Sequence, residues 1–349
     1  MSIAFVSGDY NNQIDPPSPN GCAYYRQTLP AQALRDRGVD VTIGQPRVHS
    51  EHGIGVAEGD GGIFGFDTTV LKLLMHQSVP GLINLMRQRG ERVIVDVDDF
   101  HFAMHEENVA FRGTDPRVNP ENNRAHYERS MRYADVVTVA TDYLANFYSR
   151  RCRDVRVIRN SVVVEDFTPV EQPEVPTFGW IGGTLWRSGD IETLESWLPG
   201  FAKRYGVGVH HVGHIPNDAN HFGARAGLAR VATSPMCLVR DVPKALQNIH
   251  VGLVPLTSNP FNESKSFLKG LEYAASGIPF IASPTDEYLS LARDGVGRIA
   301  YTPDEWVDHA TELLDRDLRV AEGQRIREVV LAKHDISVRG ASWVTALSS

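Results

Sequence analysis

Asn262-Glu263-Ser264-Lys265-Ser266-Phe267-Leu268-Lys269-Gly270-Leu271-Glu272-Tyr273-Ala274-Ala275-Ser276-Gly277-Ile278-Pro279-Phe280-Ile281-Ala282-Ser283 reads as a helix over 264–276, a glycine stop and a buried strand. At about 100° per residue, Phe267, Leu268, Leu271, Ala274 and Ala275 share one arc, the mark of a core face. Lys265, Lys269, Glu272 and Ser276 form a stripe beside it. Helix N-termini attract anions through free N–H groups and the dipole. On such a helix Glu272 would lie about 10 Å beyond Lys265, at ~1.5 Å per residue, roughly the span from a diphosphate to a ribose on one ligand. The competing reading is local: both lysines solvated, with Glu272 paired to Lys269 at i−3.

Working outward, the chain has 349 residues, long enough for two domains. Hydrophobic residues make up 42% and charged residues 22%, and the net charge is −8. That balance fits a globular protein and argues against a general nucleic-acid binder, so any polyanion site must be local. Cys22, Cys152 and Cys237 are few, odd in number and far apart. They give no metal spacing and no disulfide framework, which points to a reducing, cytoplasmic compartment. The apolar run 3–6 is too short for a signal peptide, and no window is long and apolar enough to predict a membrane span.

The βα rhythm begins at once. Residues 2–7 read as a strand, Gly21 opens a helix over 22–37, and 39–43 is the next strand, a βαβ unit. Residues 49–65 read as a glycine-rich loop running into a short strand at Ile63-Phe64. Helices are expected at 69–75, 81–89, 119–133 and 143–149, and strands at 93–97, 136–140 and 155–158. Pro169, Pro173 and Pro176 mark a linker within 165–177. The rhythm then restarts, with strands at 177–181, 207–212, 237–239, 251–254 and 279–282, and helices at 191–205, 304–314 and 319–333. Two doubly wound α/β domains leave a ligand position outside the carboxyl ends of their parallel strands.

Five constellations could carry chemistry. Gly182-Gly183-Thr184 follows a strand, so bare N–H groups there can approach a phosphate, with Arg187 beside them. Gly21, Tyr25 and Arg26 form the counterpart loop of the first domain, expected to face a phosphate or the acceptor. Asp96-Val97-Asp98-Asp99 ends an apolar strand. These carboxylates could bind a divalent cation, act on an acceptor hydroxyl, or serve as caps and solvated groups. His210, His211 and His214 lack the cysteine or carboxylate that would complete a zinc set. The basic run Arg150, Arg151, Arg153, Arg156 and Arg159 has no interleaved aromatics and reads as a solvated face.

At Val251-Gly252-Leu253-Val254-Pro255-Leu256, Pro260-Phe261-Asn262-Glu263-Ser264-Lys265-Ser266, Lys269, Leu271-Glu272-Tyr273 and Gly277-Ile278-Pro279, the chain resembles the GT-B glycosyltransferases, nearest to the large retaining family usually numbered four. Weaker matches are Gly21-Cys22-Ala23-Tyr24-Tyr25-Arg26, Val157-Ile158-Arg159-Asn160-Ser161, Phe178-Gly179-Trp180-Ile181-Gly182-Gly183 and the tail around Trp343. Together they span nearly the whole chain. The resemblance implies an acceptor-side Rossmann-like domain over 1–165 and a nucleotide-sugar-binding one over 166–334, with a helix over 335–349 returning to the first. It implies transfer of a sugar, with retention, from a nucleoside-diphosphate sugar (a UDP-sugar first) to a hydroxyl of a glycan, protein, lipid or modified nucleic acid, with no metal or other cofactor required. By position, Glu272 would bind the ribose. Lys265, Ser264, Gly182, Gly183, Thr184 and Arg187 would line the donor, and residues 238–240 would meet the base. Asp98 or Asp99 would act on the acceptor. Many members carry a glutamate eight residues before the ribose glutamate, where this chain has Ser264 with Glu263 one place earlier. Three alternatives stand beside this reading: a metal-dependent GT-A-like transferase using Asp96 and Asp98, a catalytically silent nucleotide-sugar-binding protein, and a phosphatase using the same two aspartates.

Overall fold

A computed structural model describes residues 1–49, 53–56, 64–106, 108, 110–183, 189–214 and 222–348. The chain divides into two compact units. The first comprises Met1–Asn160, Ser264–Ser266 and Ile336–Ser349, and the second Ser161–Glu263 and Phe267–Asp335.

The first unit is built on strands β1 (Ser2–Ser7), β2 (Asp40–Gly44), β3 (Thr68–Lys72), β4 (Arg92–Val97), β5 (Val136–Val139) and β6 (Val155–Val157). All pair parallel in the order β2-β1-β3-β4-β5-β6. β1, β3, β4 and β5 are almost wholly buried, as expected of apolar strands covered on both faces. Ile83 and Met86 of helix Val79–Gln88, with Tyr127 and Met131 of helix Arg124–Tyr133, join the core on one face. On the other, Phe5 meets Trp343 of the final helix, Ile336–Ser348, edge to face at 5.8 Å. Trp343 is 2% exposed, so its truncation should cost about 3–5 kcal/mol.

The second unit repeats the plan with β7 (Thr177–Ile181), β8 (Gly208–His214), β9 (Ala232–Pro235), β10 (Val251–Val254), β11 (Phe280–Ala282) and β12 (Arg298–Ile299). The order is β9-β8-β7-β10-β11-β12, again parallel throughout. Strand order reverses between β7 and β10 here, and between β1 and β3 in the first unit. Those two switch points are where open α/β sheets leave a crevice at their carboxyl ends. Among the described residues no helix is long and apolar enough to cross a membrane.

Several expected elements are corrected. Residues 69–75 are not helical. Thr68–Lys72 is a central strand, because the β-branched run Thr68-Thr69-Val70 is buried on both faces between β1 and β4. The helix expected over 119–133 starts at Arg124, where Asn123 accepts hydrogen bonds from the N–H groups of Ala125 (2.9 Å) and His126 (3.3 Å). The helix over 191–205 splits into a 3₁₀ turn, Ile191–Leu194, and helix Leu198–Tyr205, which starts with Pro199 in its first turn. The strand expected at 237–239 is displaced to Ala232–Pro235, which extends β8 at the sheet edge. Pro46–His49 pairs antiparallel with Gly53–Val56. The expected strand at Ile63-Phe64 falls partly outside the described residues, and Phe64 belongs to no strand.

Candidate functional site

In the second unit the switch point is closed by a locked glycine turn. Gly182 leaves β7 with φ +136°, a value glycine adopts readily, and its N–H donates to the Val212 carbonyl at 2.8 Å. Its carbonyl is held twice: Trp180 Nε1–H donates to it at 3.1 Å and His211 Nε2 at 2.9 Å. Burial pushes the His211 imidazole below its usual pKa, and the Gly182 carbonyl, which can only accept, makes Nε2 the protonated nitrogen. Gly213, at φ +116°, must also be glycine, since a Cβ there would stand 2.6 Å from the Gly182 oxygen.

Two side chains approach this turn, and a third, Glu272, lies one turn along the helix that carries Lys269. A Cβ on Gly182 would lie 2.7 Å from Lys269 Nζ, and that ammonium sits 5.2 Å from the centre of the Trp180 ring. The Met236 methyl lies 3.3 Å from where a Gly183 Cβ would be. Glu272 is 7% exposed on helix Leu268–Ala275, and its charge, after burial and Asp241, helps hold the Cys237 thiol above its ordinary pKa. Tyr273 fastens this helix to β7: its hydroxyl donates to the Gly179 carbonyl and accepts from Ile181 N–H, each at 3.2 Å. Thr184 and Arg187 lie outside the described residues.

The helix expected over 264–276 therefore begins only at Leu268, after a separate short helix, Pro260–Glu263. Residues 264–266 belong to the first unit. Thr141 Oγ1 donates to the Ser264 carbonyl at 3.1 Å, and Asn160 Nδ2 to Ser266 Oγ at 2.8 Å. With these groups engaged elsewhere, the helix cannot extend back to Ser264. The single stripe of Lys265, Lys269 and Glu272 is broken, and the 10 Å axial spacing does not apply to Lys265. Its ammonium instead faces Asp99 Oδ1 at 3.4 Å.

At the carboxyl ends of β3 and β4 the first unit carries a knot of charge. Asp96 is fully buried. Arg26 Nη2 and Thr138 Oγ1 donate to its Oδ1 at 2.6 and 2.7 Å, while Arg26 Nε (3.0 Å) and Lys72 Nζ (3.4 Å) face Oδ2. Burial alone would raise this carboxyl's pKa. Arg26 first and Lys72 next outweigh it and hold the group below the usual carboxylate value. Both oxygens are engaged, the opposite of a metal ligand's open lone pairs, which argues against Asp96 as the first aspartate of a metal-binding pair.

Lys72 also contacts Asp98 Oδ1 closely. Asp98 is 11% exposed and Asp99 32%. Burial raises the Asp99 pKa, but Lys265, His101 and Lys72 together bring it below the ordinary value. Among the described residues, Cys22, Asp98 and Asp99 are the one trio with ligand-type atoms all within 4.8 Å of each other, and both carboxylates already face a lysine ammonium.

Other sequence expectations find definite places. Gly21 opens a single turn, Gly21–Ala23, and a Cβ on it would touch nothing within 4 Å. Tyr25 is buried and meets Tyr24 edge to face at 5.1 Å. Arg26, expected to face a ligand, is 1% exposed and points into the core: it binds Asp96, the Ile158 carbonyl and Asn160 Oδ1, and its guanidinium lies 5.0 Å from the Trp343 ring. His210 binds Ser234 Oγ at 2.9 Å, apart from His211, so the histidines serve separate ends. Lys72, Trp180 and His211, which sequence reasoning did not single out as a group, stand at these strand ends, and Lys269 of the expected stripe lies against the glycine turn. The signal for Lys72 was a lone lysine closing a β-branched run.

Two doubly wound, all-parallel six-stranded units are the GT-B fold. No protein-family model matches the chain, and no curated protein matches it by sequence. Solved structures do. A sucrose-phosphate synthase from Thermosynechococcus elongatus is 15% identical, covering 99% of this chain and 98% of its own, with a TM-score of 0.67. Anabaena HepE in complex with UDP is 13% identical over 100% of both chains, with a TM-score of 0.63, and it has also been solved with UDP-glucose. A trehalose-6-phosphate synthase studied for glycosyl transfer with retention is 13% identical over 81% of this chain and 74% of its own, with a TM-score of 0.53. At these identities the likeness is one of fold.

Proposed function

We propose that this protein is a glycosyltransferase that moves a sugar from a UDP-sugar to an acceptor hydroxyl with retention of anomeric configuration. The observation that carries the reading is the turn at Gly182-Gly183, locked at the switch point of the second sheet, with Lys269 against it and Glu272 one helical turn further on. The turn and the ammonium suit a diphosphate, and a carboxylate beyond them suits ribose hydroxyls. The HepE complexes with UDP and UDP-glucose support the donor class, and the trehalose-6-phosphate synthase work supports retention.

In this reading, charge builds on the diphosphate as its bond to the sugar breaks. Lys269 and the Gly183 N–H of the turn stabilise that charge in place. Thr184 and Arg187 complete the phosphate-binding loop. Lys265 and Ser264 go with the acceptor carboxylates Asp98 and Asp99, one of which orients the attacking hydroxyl. Gly21 and the short turn it opens border the same acceptor region. A thermal-shift screen of nucleoside diphosphates tests the reading. UDP and UDP-glucose should each raise the Tm at millimolar concentration, and the absence of a shift with every nucleoside diphosphate would overturn it.

A further inference from the structure

We infer that Lys72 is a positioning residue that fixes the Asp98 carboxylate for the acceptor hydroxyl, an inference that rests on the transferase reading above. Three observations carry it.

The first is that the buried pair Arg26–Asp96 does not need Lys72. Arg26 alone covers both oxygens of Asp96 in a bidentate contact, Thr138 adds a third donor, and the pair is already neutral. Burying a further ammonium and carboxylate forfeits the hydration of both ions, which good geometry only partly returns. A neutral side chain at 72 would be the cheaper core.

The second is direction. Lys72 Nζ is closer to Asp98 than to Asp96, which it meets at 3.4 Å. Lys72 is itself only 2% exposed while Asp98 keeps 11% of its side chain open. The ammonium thus approaches from the core side and leaves the outer side of the Asp98 carboxylate toward solvent.

The third is that the backbone next to Lys72 is held in an unusual conformation. Leu73, the next residue, sits at φ +53°, the one non-glycine residue of positive φ among the described residues. Such a backbone is costly for a residue with a side chain and persists only where the surroundings impose it. They do so here. Tyr127 accepts from Leu73 N–H at 3.3 Å and donates to the Asp96 carbonyl, tying the ends of β3 and β4 together, and Gly8 N–H donates to the Lys72 carbonyl at 3.1 Å. The other ionisable groups whose charges bear on Asp98 are Arg26, Cys22, Lys265 through Asp99, His101 and Tyr127. Of these the cations lie on other partners, so Lys72 is the direct counter-charge of Asp98.

The test is a double-mutant cycle read in UDP-glucose hydrolysis, with water as acceptor, for wild type, Lys72→Met, Asp98→Asn and the double variant. Lys72→Met should lower kcat at least tenfold with the UDP-glucose KM unchanged within twofold. The double variant should be no slower than Asp98→Asn alone, and Lys72→Arg should recover most of the rate. A core role would instead lower Tm and multiply with Asp98→Asn. Where Lys72→Met does not fold, Lys72→Gln keeps a donor without the charge and carries the same cycle. A slow Asp98→Asn beside a Lys72→Met of wild-type rate, or multiplicative losses, would overturn the role of Lys72 and spare the transferase reading. A fully active Asp98→Asn would overturn the acceptor role of Asp98 and that of Lys72 with it. A wild-type protein that binds UDP but turns over no UDP-sugar would overturn the transferase reading as a whole.

Discussion

The carboxyl ends of the two sheets are built on one plan and filled with opposite materials. The first unit places four ionised side chains, Arg26, Lys72, Asp96 and Asp98, at the ends of β3 and β4, and most of their charge is spent on one another. The second places a glycine turn there, with backbone groups, a neutral imidazole and an indole N–H fixing one carbonyl. The difference separates two tasks. A saturated ionic knot holds groups rigidly and offers little charge to a ligand. A turn fixed by neutral donors sets its backbone in place beside one lysine without spending an ion pair on doing so.

The sharpest way to break this comparison is Asp96→Ala. It would leave the Arg26 guanidinium buried without its carboxylate, and Lys72 with Asp98 alone, and should cost about 3–5 kcal/mol in urea unfolding. A loss below about 1 kcal/mol would mean that the knot is not saturated. Next, Glu272→Ala should weaken UDP binding about thirtyfold, or about 2 kcal/mol, in calorimetry with little change in Tm. An unchanged affinity would remove the ribose role. Lys269→Met should cost about tenfold in UDP affinity, about 1.4 kcal/mol, and Lys265→Met under about twofold. Equal losses would return Lys265 to the donor site.

The smallest effect lies away from both sites. His250 Nδ1 accepts from Thr177 N–H at 2.9 Å at the start of β7, and burial, with Arg319 nearby, lowers its pKa to about 4. The unfolded chain protonates this histidine near 6.5, the native chain only near 4. Between those values the unfolded state binds more protons, so stability falls as pH drops through that window. After screening of this partly exposed group the loss should be about 1 kcal/mol, or about 2–4 °C in Tm. His250→Gln should flatten that part of the pH–Tm curve, and an unaltered curve would refute the assignment.

Much of the frame was legible because continuous apolar runs bounded by glycine or aspartate permit few alternatives. β1, β7 and β10 fall where the runs 2–7, 177–181 and 251–254 placed them. The failures came where two signals competed locally. Leu71, Lys72 and Leu74 favour a helix, but Thr68, Thr69 and Val70 lie in the sheet centre, and tertiary burial decided for strand. The helix over 264–276 looked continuous by periodicity, yet the Ser264 carbonyl was claimed by Thr141, 123 residues away. Glu272 falls on a helix, as the periodicity placed it. Trp180 and His211 were not legible as a pair, because they become neighbours only through the register of β7 with β8. Arg26 was visible as a cation but not as a buried one, since its partner is 70 residues distant.

The turn Tyr24–Thr28 is π-helical: Leu29 N–H reaches back five residues to the Tyr24 carbonyl. Such a turn is a one-residue surplus in the thread of a helix. In a regular helix two adjacent side chains diverge by about 100°, so one of them normally turns away from the sheet. Here both enter it. Arg26 reaches Asp96 on β4, while Gln27 Nε2 donates to the carbonyls of Phe5 on β1 (2.8 Å) and Gly44 on β2 (3.1 Å). Excising one residue from this segment would restore an even thread and swing Gly21–Ala23 about a third of a turn around the axis. The surplus residue thus sets the angular phase between a helix that packs on the sheet and the loop that precedes it, so the chain's tolerance to a single-residue deletion should be poorest here.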